Sequence, residues 1–269
     1  CGTRKALHPS SRIADEPLHD QLVIIRDGRF ERISNATRPP DDMVFLDLGD
    51  YTCLPGLINT HVHLNDVPER AADYTVYYRL TDDDHARTTA HNARVTLLTG
   101  FTTVRNPGDS NNSTIALRNA IEEGYATGPR IFSAGKALGT TGGHADPTNG
   151  FRHDLMGSPG PAEGVLNGVE SARQAVRQRY KDGADFIKIT ATGGVLSLAK
   201  SGQNPQFSDE ELAAVSLYER VAFGGEALAD AEAACVVGEG DVVEQRYVEL
   251  GPVQDDGTVP VLQGLEGDE

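Results

Sequence analysis

The alternation of short apolar runs with helical segments beyond residue 56 most constrains what this chain can fold into. The predicted strands cover residues 57–64, 101–105, 130–135 and 185–190. The predicted helices cover residues 82–98, 113–123 and 169–181, and a further one starts at the capping box Ser208-Asp-Glu-Glu. Such alternation predicts an α/β fold built from parallel βα units. About four units fit half of an eight-stranded barrel better than a doubly wound sheet, and spacing alone does not separate the two.

The segments on either side of this region differ from it. Residues 1–54 predict a small β unit, because two apolar runs meet at the turn Asp27-Gly28 and residues 44–51 form a further apolar run. Residues 55–215 carry the βα units. Residues 216–269 hold 13 acidic and two basic residues and lose the βα pattern, which predicts an irregular acidic tail with a disordered end.

Composition argues against several kinds of partner. A net charge of -16 disfavours nucleic acid and anionic membranes, because phosphate surfaces recruit Lys and Arg. No apolar run approaches the roughly 18 residues of a membrane span. Three scattered cysteines suit neither a disulfide framework nor a thiolate metal site. We expect a cytoplasmic protein given as a partial sequence; the alternative is a lipid anchor on Cys1 after removal of a signal.

His61 and His63 are the first candidates for chemistry. They lie two residues apart on a predicted strand, so their side chains leave the same face. Two imidazoles at the carboxyl end of a parallel strand can hold one divalent ion such as Zn²⁺. The alternative is a pair of exposed surface histidines. Their position at the end of an apolar strand, directly after Pro55-Gly56, favours metal ligands.

Lys188 and His144 are weaker candidates when each is taken alone. Period-two alternation puts Lys188 opposite two isoleucines and so towards the barrel interior, where a neutral amine can add CO₂ to form a metal-bridging carbamate. The alternative is a lysine paired with a carboxylate or reaching the barrel rim. His144 lies in a Gly-rich loop, where it can polarise a carbonyl, bind a carboxylate or simply face solvent. The other histidines are interpreted as structural or solvated: His8, His19, His85, His91 and His153.

Four segments together resemble the amidohydrolase superfamily, in particular its imidazolonepropionase-like and Xaa-Pro dipeptidase-like branch. These segments are residues 54–64, 99–105, 141–144 and 185–194. The resemblance covers about residues 4–215. It implies a (β/α)₈ barrel of the TIM type with a small β-sandwich built from both chain ends. It also implies a centre of one or two metal ions, with Zn expected, that activates water to hydrolyse an amide or related C–N bond of a small-molecule substrate.

The resemblance also implies roles for individual residues. His61 and His63 match ligands of the more buried metal, Lys188 matches the carboxylated bridging lysine, and His144 matches a substrate-binding residue. The family's later ligands, a His after the fifth strand and another after the sixth, have no match, since no His follows His153. The Asp of the eighth strand, which accepts the proton of the attacking water, has no recognisable match either, so no catalytic residue is identified.

The sequence therefore predicts a metal-dependent amidohydrolase that cleaves C–N bonds, in Xaa-Pro dipeptides or N-acyl amino acids. The alternative is an inactive truncated fragment or non-enzymatic half-barrel, which would leave two sheet edges unpaired and show little turnover alone. A frameshift, a retained intron or a misplaced gene end near residue 215 would explain the change of character there. Sequencing the transcript tests that expectation.

Overall fold

The computed structural model divides the chain into two compact units, Cys1–Leu57 and Ile58–Glu269. It describes residues 2–3, 18–35, 38–49, 51–66, 79–194, 197–199, 201–223, 249–250 and 261–263. Most of the predicted acidic tail, including its predicted disordered end, and the proposed anchor residue Cys1 lie outside the described residues. Among the described residues, no helix is both long enough and apolar enough to cross a membrane.

The first unit contains the β-hairpin that the sequence predicts. Its antiparallel strands are β1 (Gly2–Thr3), β2 (Gln21–Arg26) and β3 (Arg29–Ser34), hydrogen-bonded in that order. Asp27 and Gly28 form the turn, with φ of 50° and 71° respectively. Two successive residues with positive φ give the tight turn whose twist matches that of the paired strands, and Gly tolerates this conformation best. The hairpin prediction is confirmed.

The strand predicted for residues 44–51 is wrong for the part that the structure describes. Within residues 44–49, only Asp47 takes part in a β-bridge. The Asp47 carboxylate accepts a hydrogen bond from the Gly49 N–H at 2.9 Å, and the Tyr51 N–H donates to the Leu48 carbonyl at 2.8 Å. These local bonds use backbone groups that a strand ladder would need, so the chain turns instead.

The second unit alternates strands and helices, which confirms the predicted α/β class. Strand β4 (Leu57–Asn59) starts at the last residue of the first unit. The elements that follow it in chain order are α1 (Asp82–Leu98), β5 (Phe101–Asn106), α2 (Ser113–Glu122), β6 (Arg130–Ser133), β7 (Gly139–Thr140), α3 (His153–Met156), β8 (Val165–Leu166), α4 (Val169–Asp182), α5 (Asp209–Phe223), β9 (Glu249–Leu250) and β10 (Val261–Gln263). One sheet has the order β4-β5-β6, with β5 and β6 parallel. β7 pairs with β8 in parallel, and β9 pairs with β10 antiparallel.

Local signals explain where the longer helices begin and end. The Thr81 hydroxyl accepts from the Asp84 N–H, and the Asp84 carboxylate accepts from the Thr81 N–H, which makes a complete capping box at α1. Ser208 and Glu211 make the same reciprocal pair at α5, as the sequence predicts. Helix α4 ends at Gly183, whose φ of 86° suits a residue without a side chain.

The run at residues 185–190 lies beside the strand region as predicted but makes little regular ladder. It forms a single parallel bridge, between Ile189 and Leu138. The Asp185 carboxylate accepts the Ser133 N–H at 2.8 Å, and the Asp185 N–H donates to the Ser133 carbonyl at 2.7 Å. Because a side chain takes the place of a backbone acceptor at this end, the run follows residues 133–138 without becoming a full strand.

Two apolar clusters hold the second unit together. The first lies under the β4-β5-β6 sheet and consists of Leu64, Ala93, Val104, Leu117 and Ile131. The second lies between α4, α5 and the β7-β8 pair and consists of Leu138, Leu166, Ala172, Ala175, Val176, Phe207, Ala214 and Val215. Helix α5 continues through residue 215 as far as Phe223, so the packed region extends beyond the point where the sequence changes in charge.

Candidate metal centre

The four residues singled out in the sequence line one pocket of about 180 Å³ in the second unit. They are His61, His63, His144 and Lys188. The other walls come from the segments that follow β5, β6, β7 and Ile189: Pro107, Gly108, Ala137, Ala145, Thr190, Thr192, Gly193 and Gly194. Residues as far apart in sequence as His61 and Gly194 therefore line one pocket, because successive βα units bring their strand ends to the same side.

His61 and His63 follow β4 rather than lying on it, which corrects the predicted strand placement. The Asn59 side chain accepts the His61 N–H at 3.0 Å and so ends the strand locally. The sequence predicted a pleated strand with both rings on one face, whereas residues 60–63 have an irregular backbone. Nevertheless the two ring centroids lie 5.3 Å apart at an interplanar angle of 62°. The two imidazoles remain close enough to contribute to one site.

His63 is oriented by the backbone that follows β5. Its Nδ1 lies 3.1 Å from the Gly108 carbonyl oxygen, which can only accept a hydrogen bond. The absence of a side chain at Gly108 allows this approach, since a Cβ there would lie 3.1 Å from the His63 Cε1. The bond leaves Nε2 as the ring nitrogen available for a ligand.

Asn106 is a site-supporting residue that sequence reasoning missed. Its side chain is completely buried at the end of β5. Its amide bonds the Leu64 N–H at 2.9 Å and the Gly108 carbonyl at 2.7 Å, and so connects the two backbone segments that meet at His63. The strand Phe-Thr-Thr-Val-Arg-Asn is mostly polar, so the sequence carried no distinct signal for Asn106. Its burial is what requires hydrogen-bond partners for the amide.

His144 lies in an ordered loop. The backbone N–H of His144 donates to the Gln206 side-chain oxygen at 2.8 Å. Gly194 packs against the imidazole of His144, and a side chain at residue 194 would overlap with that ring. The buried Asp146 accepts the Gly142 N–H at 2.8 Å and the Thr148 N–H at 2.9 Å. These bonds hold His144 at the pocket from both sides of the loop.

Lys188 is half-buried and lines the same pocket. Its backbone carbonyl accepts the Leu138 N–H at 2.8 Å, which ties its position to the segment after β6. The sequence prediction that this side chain faces the site is therefore consistent with its place among the lining residues.

Asp66 has a carboxyl group that interacts electrostatically with His63. Desolvation raises its pKa, the His63 and His85 charges act in the opposite direction, and Asp109 adds to the increase. The carboxyl group of Asp66, which does not line the pocket, is therefore easier to protonate than usual.

The described residues fit a metal ion as a partial ligand set. Across the described ranges, no group of three or more His, Cys, Asp or Glu side chains is arranged to hold one. The fit rests on two imidazoles of suitable separation, one with its Nδ1 already engaged, and on an amine in the same pocket. Nitrogen ligands of this kind suit Zn²⁺, and also Mn, Fe or Co.

The chain belongs to the amidohydrolase family, whose family model matches residues 52–224 and so includes the pocket. An ochratoxinase from Aspergillus niger is 31% identical over 211 residues, which are 73% of this chain and 43% of that protein. A crystal structure of a Xaa-Pro dipeptidase with bound methionine in the active site is 43% identical, with a TM-score of 0.73, and the match covers 83% of this chain and 54% of that one. A prolidase complexed with N-methylphosphonate-L-proline is 32% identical, with a TM-score of 0.66 and coverages of 77% and 50%.

These similarities confirm the family resemblance of the sequence. The chain spans about half the length of the relatives that it matches. The matched region starts just before β4 and ends just after α5, so it includes every residue that lines the pocket.

Proposed function

We propose that this chain acts, as a whole or as part of a longer protein, as a metal-dependent hydrolase of amide or related C–N bonds. The observation that carries the proposal is the convergence of His61, His63, His144 and Lys188 on one pocket. Family membership supports the reaction class. In this proposal the βα units of the second unit are about the first four of a (β/α)₈ barrel.

The proposed metal ligands are His61, His63 and Lys188. His63 would bind through Nε2, because its Nδ1 faces the Gly108 carbonyl. The Lys188 amine would add CO₂ with loss of a proton, which gives a carboxylate-like ligand able to bridge two ions. When bound, a divalent ion, with Zn²⁺ expected, supplies a Lewis acid that lowers the pKa of water and polarises the amide carbonyl.

The proposed substrates are Xaa-Pro dipeptides or N-acyl amino acids. Both carry a carboxylate next to the scissile C–N bond, and His144 would bind that group from the loop after β7. A protonated imidazole gives a charge-assisted hydrogen bond to a carboxylate, which fixes the substrate's orientation. The similarity of this chain to a Xaa-Pro dipeptidase and to a prolidase supports this substrate class.

Metal stoichiometry is the first test of the proposal. Purified, folded protein titrated with Zn²⁺ in a calorimeter should bind it stoichiometrically, and His61→Ala or His63→Ala should abolish that binding. His91→Ala is the matched control, since His91 is exposed on α1 and does not line the pocket. Equal Zn²⁺ binding by the wild type and both site variants would contradict the proposed site.

Substrate cleavage is the second test. Metal-loaded protein is assayed against a panel of Xaa-Pro dipeptides and N-acyl amino acids, with amides lacking the carboxylate as controls. His144→Ala should raise KM mainly for substrates that carry the carboxylate. The competing interpretation, a metal-binding half-barrel without turnover, is favoured by the two-imidazole ligand set of the described residues. Stoichiometric metal with no hydrolysis of any panel member would support it.

A further inference from the structure

Asn106 does not line the pocket, yet its hydrogen bonds reach both sides of His63. We infer that Asn106 is a positioning residue that fixes the tautomer and orientation of His63. This inference rests on the proposed metal site and adds to it the reason why one of its imidazoles presents a particular nitrogen. It assigns a function to a residue that neither the metal nor the substrate would touch.

The orientation of the Asn106 amide is determined by its partners. Its Oδ1 accepts the Leu64 N–H at 2.9 Å, and its Nδ2 donates to the Gly108 carbonyl at 2.7 Å. A backbone N–H can only donate and a carbonyl can only accept, so the reversed amide would lose both bonds. Because the side chain is fully buried, water cannot replace either bond.

The Gly108 carbonyl is shared between Asn106 and His63. It accepts the Asn106 Nδ2–H and also lies 3.1 Å from the His63 Nδ1. A carbonyl oxygen has two lone pairs and can accept both bonds. A neutral His63 must then carry its proton on Nδ1, which leaves a lone pair on Nε2 for a divalent ion. Asn106 thus holds the acceptor that selects the metal-binding tautomer.

A second asparagine provides a matched comparison. Asn92, on α1, donates from its Nδ2 to the carbonyls of Leu64 at 2.8 Å and Asp66 at 2.9 Å. Asn92 therefore binds the backbone of the segment after His63, as Asn106 does, but its bonds do not include the Gly108 carbonyl. A purely structural role predicts similar effects for Asn92 and Asn106 on the ring, whereas a positioning role predicts an effect of Asn106 alone.

The test is a measurement of the His63 tautomer in the metal-free, full chain. Protein labelled with ¹⁵N-histidine is examined by long-range ¹H–¹⁵N correlation at about pH 8, above the ordinary histidine pKa. The His63 signals are assigned by their loss in His63→Gln. We expect the Nδ1–H tautomer in the wild type and in Asn92→Ala. In Asn106→Leu, the ratio of Nδ1–H to Nε2–H should fall roughly 2- to 10-fold, the effect of one hydrogen bond.

Zn²⁺ titration supplies a second measurement on the same variants. Loss of the outer hydrogen-bond partner of a ligand weakens metal binding by roughly 10- to 100-fold. Asn106→Leu keeps that partner, the Gly108 carbonyl, and removes only its support, so Kd should rise by at most about 10-fold, while it should stay near the wild-type value in Asn92→Ala. Gly108→Ala keeps the carbonyl but puts a Cβ 3.1 Å from the His63 Cε1, so it should displace the ring. Gly108→Ala serves where Asn106→Leu fails to fold by circular dichroism.

The possible outcomes separate this inference from the proposed function. An Nε2–H tautomer in the wild type, or an unchanged tautomer in folded Asn106→Leu, overturns the inference even if Zn²⁺ binds. If Asn106→Leu does not fold, an unchanged tautomer and Zn²⁺ affinity in Gly108→Ala overturn it. The expected tautomers together with no Zn²⁺ binding by the wild type support the positioning role and overturn the proposed metal site.

Discussion

Replacement of Arg179 by Met should strongly destabilise the second unit. Arg179 lies on α4, and its guanidinium is completely buried. The guanidinium donates to the carbonyls of Ala162 at 2.7 Å and Lys136 at 3.4 Å and pairs with Asp182 at 3.3 Å. Burial lowers the pKa of Arg179, and the Asp182 carboxylate opposes this shift. A guanidinium is charged at all ordinary pH values in proteins, so the buried group needs these partners.

The expected size of the effect follows from these contacts. Met keeps much of the packing of the aliphatic stem, so the loss is mainly that of the charged hydrogen bonds and of the partner of Asp182, whose side chain is 16% exposed. Breaking a buried ion pair costs about 3–5 kcal/mol, and a charge-assisted hydrogen bond contributes about 1.5–3 kcal/mol. Because one of the two carbonyl contacts is long and the Asp182 side chain is partly exposed, we expect about 3 kcal/mol.

Urea denaturation followed by circular dichroism measures this change. With a typical m-value, a loss of about 3 kcal/mol lowers the midpoint by roughly 1 to 2 M. Arg177→Met is the matched control, since Arg177 is exposed on the same helix and lies 5.9 Å from the Tyr218 ring centroid. Its loss should cost about 0.5 kcal/mol. Equal midpoints for the two variants would refute the stabilising role assigned to the bonds of Arg179 with the Lys136 and Ala162 carbonyls and with Asp182.

Three further changes test other parts of the second unit. Thr81→Ala removes the N-cap of α1 and should cost about 1 kcal/mol in urea denaturation. Bonds from the Thr81 N–H and hydroxyl lower the pKa of Asp84, so its stabilising effect is present above about pH 4 and should disappear from melting curves as pH falls further. Thr81→Ala removes the hydroxyl and keeps the backbone N–H, so it should reduce this effect without abolishing it. Gln206→Leu should accelerate hydrogen exchange in the loop after β7, whereas Gln206→Glu keeps the acceptor and should not. Asp185→Ala leaves Arg118 without its 2.6 Å partner and should cost about 1–3 kcal/mol, and Asp185→Asn, which retains an acceptor, should cost less.

The periodic parts of the fold were predictable from the sequence. Helix α1 covers Asp82–Leu98, the predicted span, because a capping box marks its start and a Thr-Gly pair follows its end. The hairpin at Asp27-Gly28 was equally clear, because its turn requires positive φ at two successive residues and Asp-Gly is one of the few pairs that adopt this conformation readily. These elements depend on near neighbours in sequence, and near neighbours are what a single sequence displays.

The parts that depend on distant side chains were not predictable in detail. The sequence indicated His61 and His63 as a pair, but the turn imposed by Asn59 moved them off the strand. The run at 185–190 lost its ladder to the side chain of Asp185. Asn106 could not be connected with His63, because its two partners lie 42 and 2 residues away along the chain. The hydrophobic pattern of a sequence and the propensities of its residues do not reveal contacts between side chains that are distant along the chain.

The two glycines after Lys188 limit how this pocket can be reshaped by mutagenesis. A Cβ at Gly193 would overlap with the Ser201 carbonyl, and one at Gly194 would overlap with the His144 ring. A saturation library at these positions should therefore return almost only glycine among folded, soluble clones. Changes of substrate range would instead have to come from Thr192 or Ala145, whose side chains already border the pocket.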